Sequence, residues 1–468
     1  MSILRLPNEL LLHITTFLSQ DCDIASLLRA NRRLKDLLEE PLFQNNLSTN
    51  NGSALPLCAK YGLRSGVQTL LRLGANGDET DLDCRTAWSY AAEKGDFETW
   101  QMLLVHEKSL GRKLDVNFKD FDERTLLSWA AEGGQLEFVQ YLVQLGATVN
   151  SKCMEKRTPL SYAAQSGHFT MVRWLLDQGA ETYDSTRLSD RDGLTPLHYA
   201  AFEGHEDIMR LLISIGADVD NMGLDCMDIA AQTPLMEAAR GGQYAAAKML
   251  LEMGANVNQG DGRGMSPLQY AARAGVGEPL RESEYHLANF ICNQPGPGWY
   301  FDGHGYQAPH KSGKSGDYLA IVKLLVAHGA DPNKEHDDHY GEFQGGPLYC
   351  AAWSGATEIV QFLIDLGADV NENAVIHAAA RNGHLDVVEK LLVNGADANA
   401  IWAGHTPLDR AKFAAKMVDQ GKDYHEYGDM WNRKMMSLFE ANIPNYHRVV
   451  EMLIAHGGKV GREDFSPW

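Results

Sequence analysis

A stacked array of short helix pairs, all-α in class and preceded by a small helical segment, is the fold this sequence predicts. Three observations carry that expectation. The phrase Thr195-Pro196-Leu197-His198-Tyr199-Ala200-Ala201 recurs as Thr158-Pro159-Leu160-Ser161-Tyr162-Ala163-Ala164 and as Thr233-Pro234-Leu235-Met236-Glu237-Ala238-Ala239. Looser copies begin at Ser53, Thr86, Thr125, Ser266, Gly346, Ala374 and Thr406, and the starts at Ser53 and Thr86, Thr125 and Thr158, and Thr233 and Ser266 lie 33 residues apart. Each phrase is followed by apolar residues at helical spacing, as in Ile208-Met209 with Leu211-Leu212. A fixed period of this length marks stacked supersecondary units, whose function is expected on a surface more than in a reacting pocket.

Each unit is justified locally. Threonine caps the first helix, and proline is tolerated at its first position because the N–H it lacks would be unpaired there. The Ala-Ala pair lets neighbouring units pack closely, and Gly167, Gly204 or Gly242 ends the helix. The second helix closes at Gly216-Ala217-Asp218, Gly329-Ala330-Asp331, Gly367-Ala368-Asp369 or Gly395-Ala396-Asp397.

These residues closely resemble the ankyrin repeat, over ten units from about residue 53 to 460. The resemblance implies a solenoid of antiparallel helix pairs with β-turn fingers and a concave, protein-binding side. Two units carry insertions. One spans 276–317 and contains Pro295-Gly296-Pro297-Gly298-Trp299-Tyr300-Phe301. The other spans 413–445, where Met430, Trp431, Met435, Met436 and Phe439 read as helical. A helix is expected from Tyr318 to His328. Long loops in a compact array are either functional or merely tolerated.

Residues 1–47 differ in kind. Leu10, Leu11, Ile14, Phe17 and Leu18 mark one face of an amphipathic helix with Pro7 at its start, and two shorter helices follow. The order Leu6-Pro7-x-Glu9-Leu10-Leu11, Ile14, Phe17-Leu18, Leu27-Leu28, Arg32-Arg33-Leu34, Pro41-Leu42-Phe43 looks like an F-box, with Ala30-Asn31 where a Val-Cys pair is more typical. That resemblance implies a three-helix F-box-like domain that holds the Skp-family linker of a cullin–RING ubiquitin ligase. Leu6, Pro7, Ile14, Leu18 and Leu28 fall on positions that face the linker in that family. F-box-plus-ankyrin chains of this arrangement resemble proteins common in filamentous fungi. The alternative is a helical cap for the first repeat, on a scaffold that serves no ligase.

Composition narrows the function classes. With 468 residues the chain exceeds one compact core, and a hydrophobic fraction of 44% fits a folded protein. A net charge of −20, from 42 basic and 62 acidic residues, disfavours nucleic acid and anionic membrane as partners. Seven scattered cysteines without a CxxC pair suggest free thiols in a reducing compartment. The apolar run from Leu10 to Leu18 lacks a basic cluster before it and a small-x-small cleavage site after it. No stretch approaches the roughly 20 apolar residues that span a bilayer. A cytoplasmic or nuclear protein is expected.

Enzymatic motifs are weak. Ala308-Pro309-His310-Lys311-Ser312-Gly313-Lys314-Ser315 satisfies a loosened phosphate-loop pattern, but no buried strand precedes it and the helix after it belongs to a repeat. His336-Asp337-Asp338-His339 offers metal-ligand types in a turn where adjacent side chains rarely converge on one ion. No GxSxG or HExxH string occurs. The expectation is a non-enzyme without cofactor or metal, with a nucleotide-binding or enzymatic site in the 276–317 insertion as a distant alternative.

The ankyrin resemblance implies that the two residues after each Ala-Ala pair and those preceding Thr-Pro-Leu face the concave groove. In the early repeats the first of these are Glu93, Glu132 and Gln165, acidic to neutral. In the later ones they are Phe202, Arg240, Arg273, Trp353 and Arg381, residue types common at binding hot spots. An acidic or phosphorylated client segment is expected there, although these arginines could instead pair with nearby acids. The aromatics one step earlier (Tyr90, Trp129, Tyr162, Tyr199, Tyr270) hold one fixed repeat position, and packing between units is expected of them. A fluorescent ATP analogue titrated into the full chain should show no saturable binding, with Lys314→Ala indistinguishable. Saturable binding lost on that substitution would place a nucleotide site in the insertion.

Overall fold

A computed structural model of the chain describes residues 43–44, 47, 54–81, 85–182, 194–223, 232–262, 264–273, 317–334, 345–372, 374–402, 404–419 and 445–461. Its helices come in pairs: α1 (Ala54–Lys60) with α2 (Arg64–Arg72), α3 (Ala87–Lys94) with α4 (Phe97–Ser109), α5 (Leu126–Glu132) with α6 (Leu136–Gln144), and α7 (Pro159–Gln165) with α8 (Phe169–Asp177). Next come α9 (Pro196–Glu203) with α10 (Glu206–Ser214), α11 (Pro234–Arg240) with α12 (Tyr244–Glu252), and α13 (Pro267–Arg273) with α14 (Tyr318–Ala327). The series closes with α15 (Pro347–Ser354) and α16 (Thr357–Asp365), α17 (Val375–Arg381) and α18 (Leu385–Val393), and α19 (Pro407–Asp419), which is completed by a helix over 445–455. Extended pairing among the described residues is confined to isolated bridges in the fingers, such as Thr80 with Thr86 and Lys119 with Thr125. The chain divides into two compact units. One comprises Met1–Ala200, Asp207–Ala217 and Leu224–Cys226, and the other Ala201–Glu206, Asp218–Gly223 and Met227–Trp468.

The repeated phrase forms helices for the reasons its residues suggest. Thr86, Thr125, Thr158 and Thr233 each accept the backbone N–H three residues on, from Ser89, Ser128, Ser161 and Met236. In the last repeat the cap is reciprocal: Thr406 N–H donates to Asp409 Oδ2 at 2.9 Å, and Asp409 N–H donates to Thr406 Oγ1 at 3.2 Å. The alanine pairs are buried throughout, which sets the close spacing of first helices. Gly355 ends α15 with φ 78°, and a Cβ there would lie 2.6 Å from His384 Nδ1, because that imidazole lies over the turn with Nε2 3.0 Å from the Trp353 carbonyl. Glycine is needed there twice over.

Three fingers are closed by an aspartate. Asp81, Asp120 and Asp261 accept the N–H four residues on, at 3.0, 2.8 and 2.7 Å. Their second carboxylate oxygens accept from Tyr90 Oη (2.7 Å), Trp129 Nε1 (2.8 Å) and Tyr270 Oη (2.7 Å). One carboxylate thus ties each of these fingers to the first helix of its own repeat.

Asparagines tie one repeat to the next. Asn117 Nδ2 donates to the Gly146 carbonyl (3.1 Å) and its Oδ1 accepts from Thr148 N–H (2.8 Å). Asn150 makes the same pair with Gly179 and Glu181, and Asn371 with Gly395 and Asp397. The pattern holds across both insertions. Asn258 reaches Gly329 (2.9 Å) and Asp331 (3.2 Å), and Asn399 reaches Gly457 (3.0 Å) and Lys459 (2.8 Å).

The insertions therefore interrupt repeats without displacing them. Helix α13 packs on α14, as any repeat pair does, with Asp317 capping α14 through Ala320 N–H. The expected helix at Tyr318–His328 is α14, with His328 as its C-cap. The second interruption begins later than the expected residue 413, since α19 runs on to Asp419, where Ala414 and Ala415 are buried with Tyr446. Residues 274–316 and 420–444, including Met430–Phe439, lie outside the described residues.

Asn258→Ala should destabilise the second unit by about 1–2 kcal/mol, since two hydrogen bonds are lost. The readout is a lower urea midpoint for the full chain. Asn258→Asp, which loses the donated half only, should fall between the two.

Candidate functional site

In the first unit, the residue that follows the Ala-Ala pair is tied up internally. Three arginines that immediately precede a capping threonine, Arg85, Arg124 and Arg157, are each sandwiched between two rings. Arg85 lies over Tyr90 and Trp129 at 3.9 and 3.5 Å, and Arg124 over Trp129 and Tyr162 at 3.3 and 3.9 Å. Arg157 lies over Tyr162 and Tyr199, at 4.1 Å from each. The result is one column of alternating guanidinium and aromatic groups running from Tyr90 to Tyr199. Each guanidinium also donates to the groove residue of its own repeat: Arg85 to Glu93, Arg124 to Glu132 and Arg157 to Gln165.

The column explains the acidic look of the early groove. Glu93 and Glu132 answer buried guanidiniums, leaving little negative charge for a partner. Burial would push the Glu132 carboxyl up, but Arg124, then Arg157 and Arg85, hold it below its ordinary value. The Tyr162 hydroxyl is raised, chiefly by burial. The aromatics do pack between repeats as expected. Their arginine partners were missed in the sequence, although an Arg before Thr86, Thr125 and Thr158 was a readable signal.

In the second unit the pattern changes. Glu237 takes the place of the ring, is 1% exposed, and pairs with Arg240 at 2.5 Å. Arg240 also lies 4.9 Å over Phe202, and its carbonyl accepts from Tyr318 Oη at 3.3 Å. Burial, with Asp261 and Glu237 adding to it, drives the Tyr270 hydroxyl well up. Arg273 lies 5.2 Å over Trp353 of the next repeat. The Trp353 backbone is held by Asn382 Nδ2 (2.8 Å) and His384 (3.0 Å), and neighbouring Ser354 Oγ donates to the Ala272 carbonyl at 3.1 Å. Burial pushes the Tyr446 hydroxyl up to about 12 against the pull of Arg381. Phe202, Arg240, Arg273, Trp353 and Arg381 are all half-buried at one register position. The structure thus joins Phe202 with Arg240 and Arg273 with Trp353. Of the two readings for the arginines, internal pairing holds for Arg240.

A model of ankyrin repeats matches residues 55–153, 88–186, 150–223, 221–281, 284–374, 310–402 and 348–420, most of the chain. The chain belongs to the ankyrin-repeat family. Ankyrin repeats bind protein partners, so the chain is a protein–protein interaction module. Among relatives, alpha-latroinsectotoxin-Lt1a of Latrodectus tredecimguttatus is 31% identical over 128 residues, which is 26% of this chain and 9% of that protein's length. Among solved structures, the human ASB11 ankyrin repeat domain is similar at 22% identity and a TM-score of 0.42, over 61% of this chain and 99% of that one.

Other expectations meet the ankyrin structure unevenly. Leu6, Pro7, Ile14, Leu18 and Leu28 lie outside the described residues, as do 308–315 and 336–339. Among the described residues no cluster of three or more His, Cys, Asp or Glu could hold a metal ion, and no helix is long and apolar enough to cross a membrane. Cys58, Cys153 and Cys350 are buried thiols outside any disulfide, and burial pushes the Cys350 thiol up to about 11.

Arg124→Met should destabilise the first unit by about 3 kcal/mol, because it strands Glu132 without its counter-charge. Glu132 titrates below its unfolded value, so its ionic contribution is complete above the unfolded-chain value of ~4.3 and fades as the pH falls below it. Thermal melts should show the wild-type advantage over Arg124→Met shrinking in acid, and Glu132→Gln added to that variant should recover part of the loss.

Proposed function

We propose that this chain is the substrate-recognition subunit of a cullin–RING ubiquitin ligase, with residues 1–47 as an F-box-like domain and 53–460 as the client-binding ankyrin domain. One observation carries the reading: the ordered motif from Leu6-Pro7-x-Glu9 to Pro41-Leu42-Phe43 stands directly ahead of the protein-binding repeats. Leu6, Pro7, Ile14, Leu18 and Leu28 would hold the Skp-family linker. The client, carrying acidic or phosphorylated groups, would lie along Phe202, Arg240, Arg273, Trp353 and Arg381. No bond is made or broken by this chain in that role. It raises the effective concentration of a client lysine near the conjugating enzyme. The compartment would be cytoplasmic or nuclear.

A second reading has one observation in its favour. Phe43, at the end of the motif, is fully buried, and its ring lies 3.2 Å from where a Gly66 Cβ would stand, beside Cys58 of the first repeat. A helical cap on a ligase-independent scaffold would make the same contact. Pull-down with the Skp-family linker separates the two. Capture by the wild-type chain, lost with Leu6→Ala and Pro7→Ala together, is the expected result. Failure of the wild type to bind, or retention by the double variant, leaves the scaffold.

A further inference from the structure

At two places in the second unit the fourth residue of the repeat phrase reaches forward into the next finger. Gln269 on α13 accepts the Ser266 N–H at its Oε1 (2.7 Å) and donates from Nε2 to the Gly345 carbonyl of the following repeat (2.9 Å). His377 on α17 is 3% exposed, and its Nε2 lies 3.0 Å from the Ala400 carbonyl and 3.1 Å from the His405 carbonyl. Both partners are acceptors, so Nε2 carries the proton and one N–H is shared between the two sides of the last finger. That finger is closed by the bridge between Trp402 and His405. We infer that His377 is a proton-sensitive latch, which holds the last repeat on α17 while its ring is neutral and loosens it when Nδ1 takes a proton. The latch is independent of the groove and ligase readings.

The Nδ1 atom sets His377 apart. His198 stands at the same phrase position, but there Nδ1 is engaged by the N–H (3.1 Å) and the hydroxyl (2.8 Å) of Thr195. A proton on that atom would displace a backbone bond. Ahead of His377 the capping threonine is replaced by Ala374, whose backbone is left-handed at φ 60° and which offers no side-chain cap. Nδ1 of His377 is consequently buried without a hydrogen-bond partner. Its lone pair is open to a proton, but no acceptor stands ready for the resulting N–H, and the added charge is buried with it.

The surroundings favour the neutral ring. Burial holds the imidazole below its ordinary value; the His405 and Ala400 carbonyls work against it, Arg410 of α19 adds to it and Asp409 opposes it. The Asp409 carboxylate is committed to the N–H groups of Thr406 and Gly461. On the finger, the Trp402 ring lies 6.3 Å away and His405 is the titratable group. Of the other helices packed on α17, α15 carries only Tyr349 and Cys350 as titratable groups, and α18 carries Asp386, Glu389 and Lys390. Asp386 and Glu389 are exposed, as are His447, Arg448 and Glu451 of the helix over 445–455, and Lys390 donates to Gln361. On α17 itself Arg381 stands one turn on and acts on Tyr446.

The direction with pH follows from linkage. With the repeat open, His377 titrates at about 6.5, and with the repeat closed it titrates lower. Between those values the open state binds more protons. Closing is therefore favoured in full above about 6.5 and progressively less as the pH falls below it. Opening uncovers the α17 face on which α19 packs. A repeat contacts only its neighbours, so the change stays local.

The test is hydrogen exchange of the full chain, read as protection factors for the amides of α19 at pH 7.5 and 5.5. Wild-type protection there should fall about five- to tenfold between the two, the range that one imidazole supplies. His377→Gln keeps the donor, as Gln269 does, and removes the proton site, so its protection should change less than twofold. His405→Gln should retain the wild-type dependence. Protection over α15 should hold within twofold in the wild type, which separates His377 from His384, whose Nε2 donates to the Trp353 carbonyl. If His377→Gln leaves α19 unprotected at pH 7.5, the wild-type ring decides. Its imidazole nitrogen spectrum, assigned by its loss in that variant, should show the Nε2–H tautomer at pH 7.5 and titrate in step with the loss of protection. A wild-type change below twofold overturns the latch, as does an unchanged dependence in His377→Gln or its disappearance in His405→Gln. Loss shared equally by α15, or a ring protonated at pH 5.5 while α19 stays protected, overturns it as well.

Discussion

A side-chain amide sets the register of this molecule. Asn117, Asn150, Asn258, Asn371 and Asn399 each donate to a glycine carbonyl of the next repeat and accept an N–H two residues beyond it. An amide is suited to this because its donor and acceptor lie a fixed distance apart on one plane. The geometry is indifferent to the amount of chain between the partners. The donated bond spans 29 residues for Asn117, 71 for Asn258 and 58 for Asn399, with the same atoms meeting each time. Long insertions are therefore accommodated between the two helices of a repeat, and loop closure costs rise only slowly with their length.

The arginines show how one residue type serves two ends. In the first unit Arg85, Arg124 and Arg157 are packing elements, each held between rings and donating to the residue after the Ala-Ala pair of its own repeat. In the second unit Glu237 replaces the ring and draws Arg240 inward. Arg273 instead lies over the ring of Trp353, in the next repeat.

Repeat number, helix caps, buried alanines and the existence of both insertions were all legible in residue order, because each depends on contacts within a few positions. Thr125 caps α5 through a residue three positions away, and the period exposes every copy. The arginine column depends on neighbours in the next repeat. Arg85 touches Trp129, and nothing local to either announces the other. The helical run of α19 past residue 413 is a similar case, since Ala414 and Ala415 are buried with Tyr446 from beyond the insertion.

Order along the chain thus fixed that this protein is a stack of ankyrin repeats and where its groove positions fall. It did not fix which of those positions remain for a partner. Which of them are held internally was decided in three dimensions, because a charged side chain pairs with whatever stacking brings within a few ångströms: Glu132 is taken by Arg124 and Arg240 by Glu237.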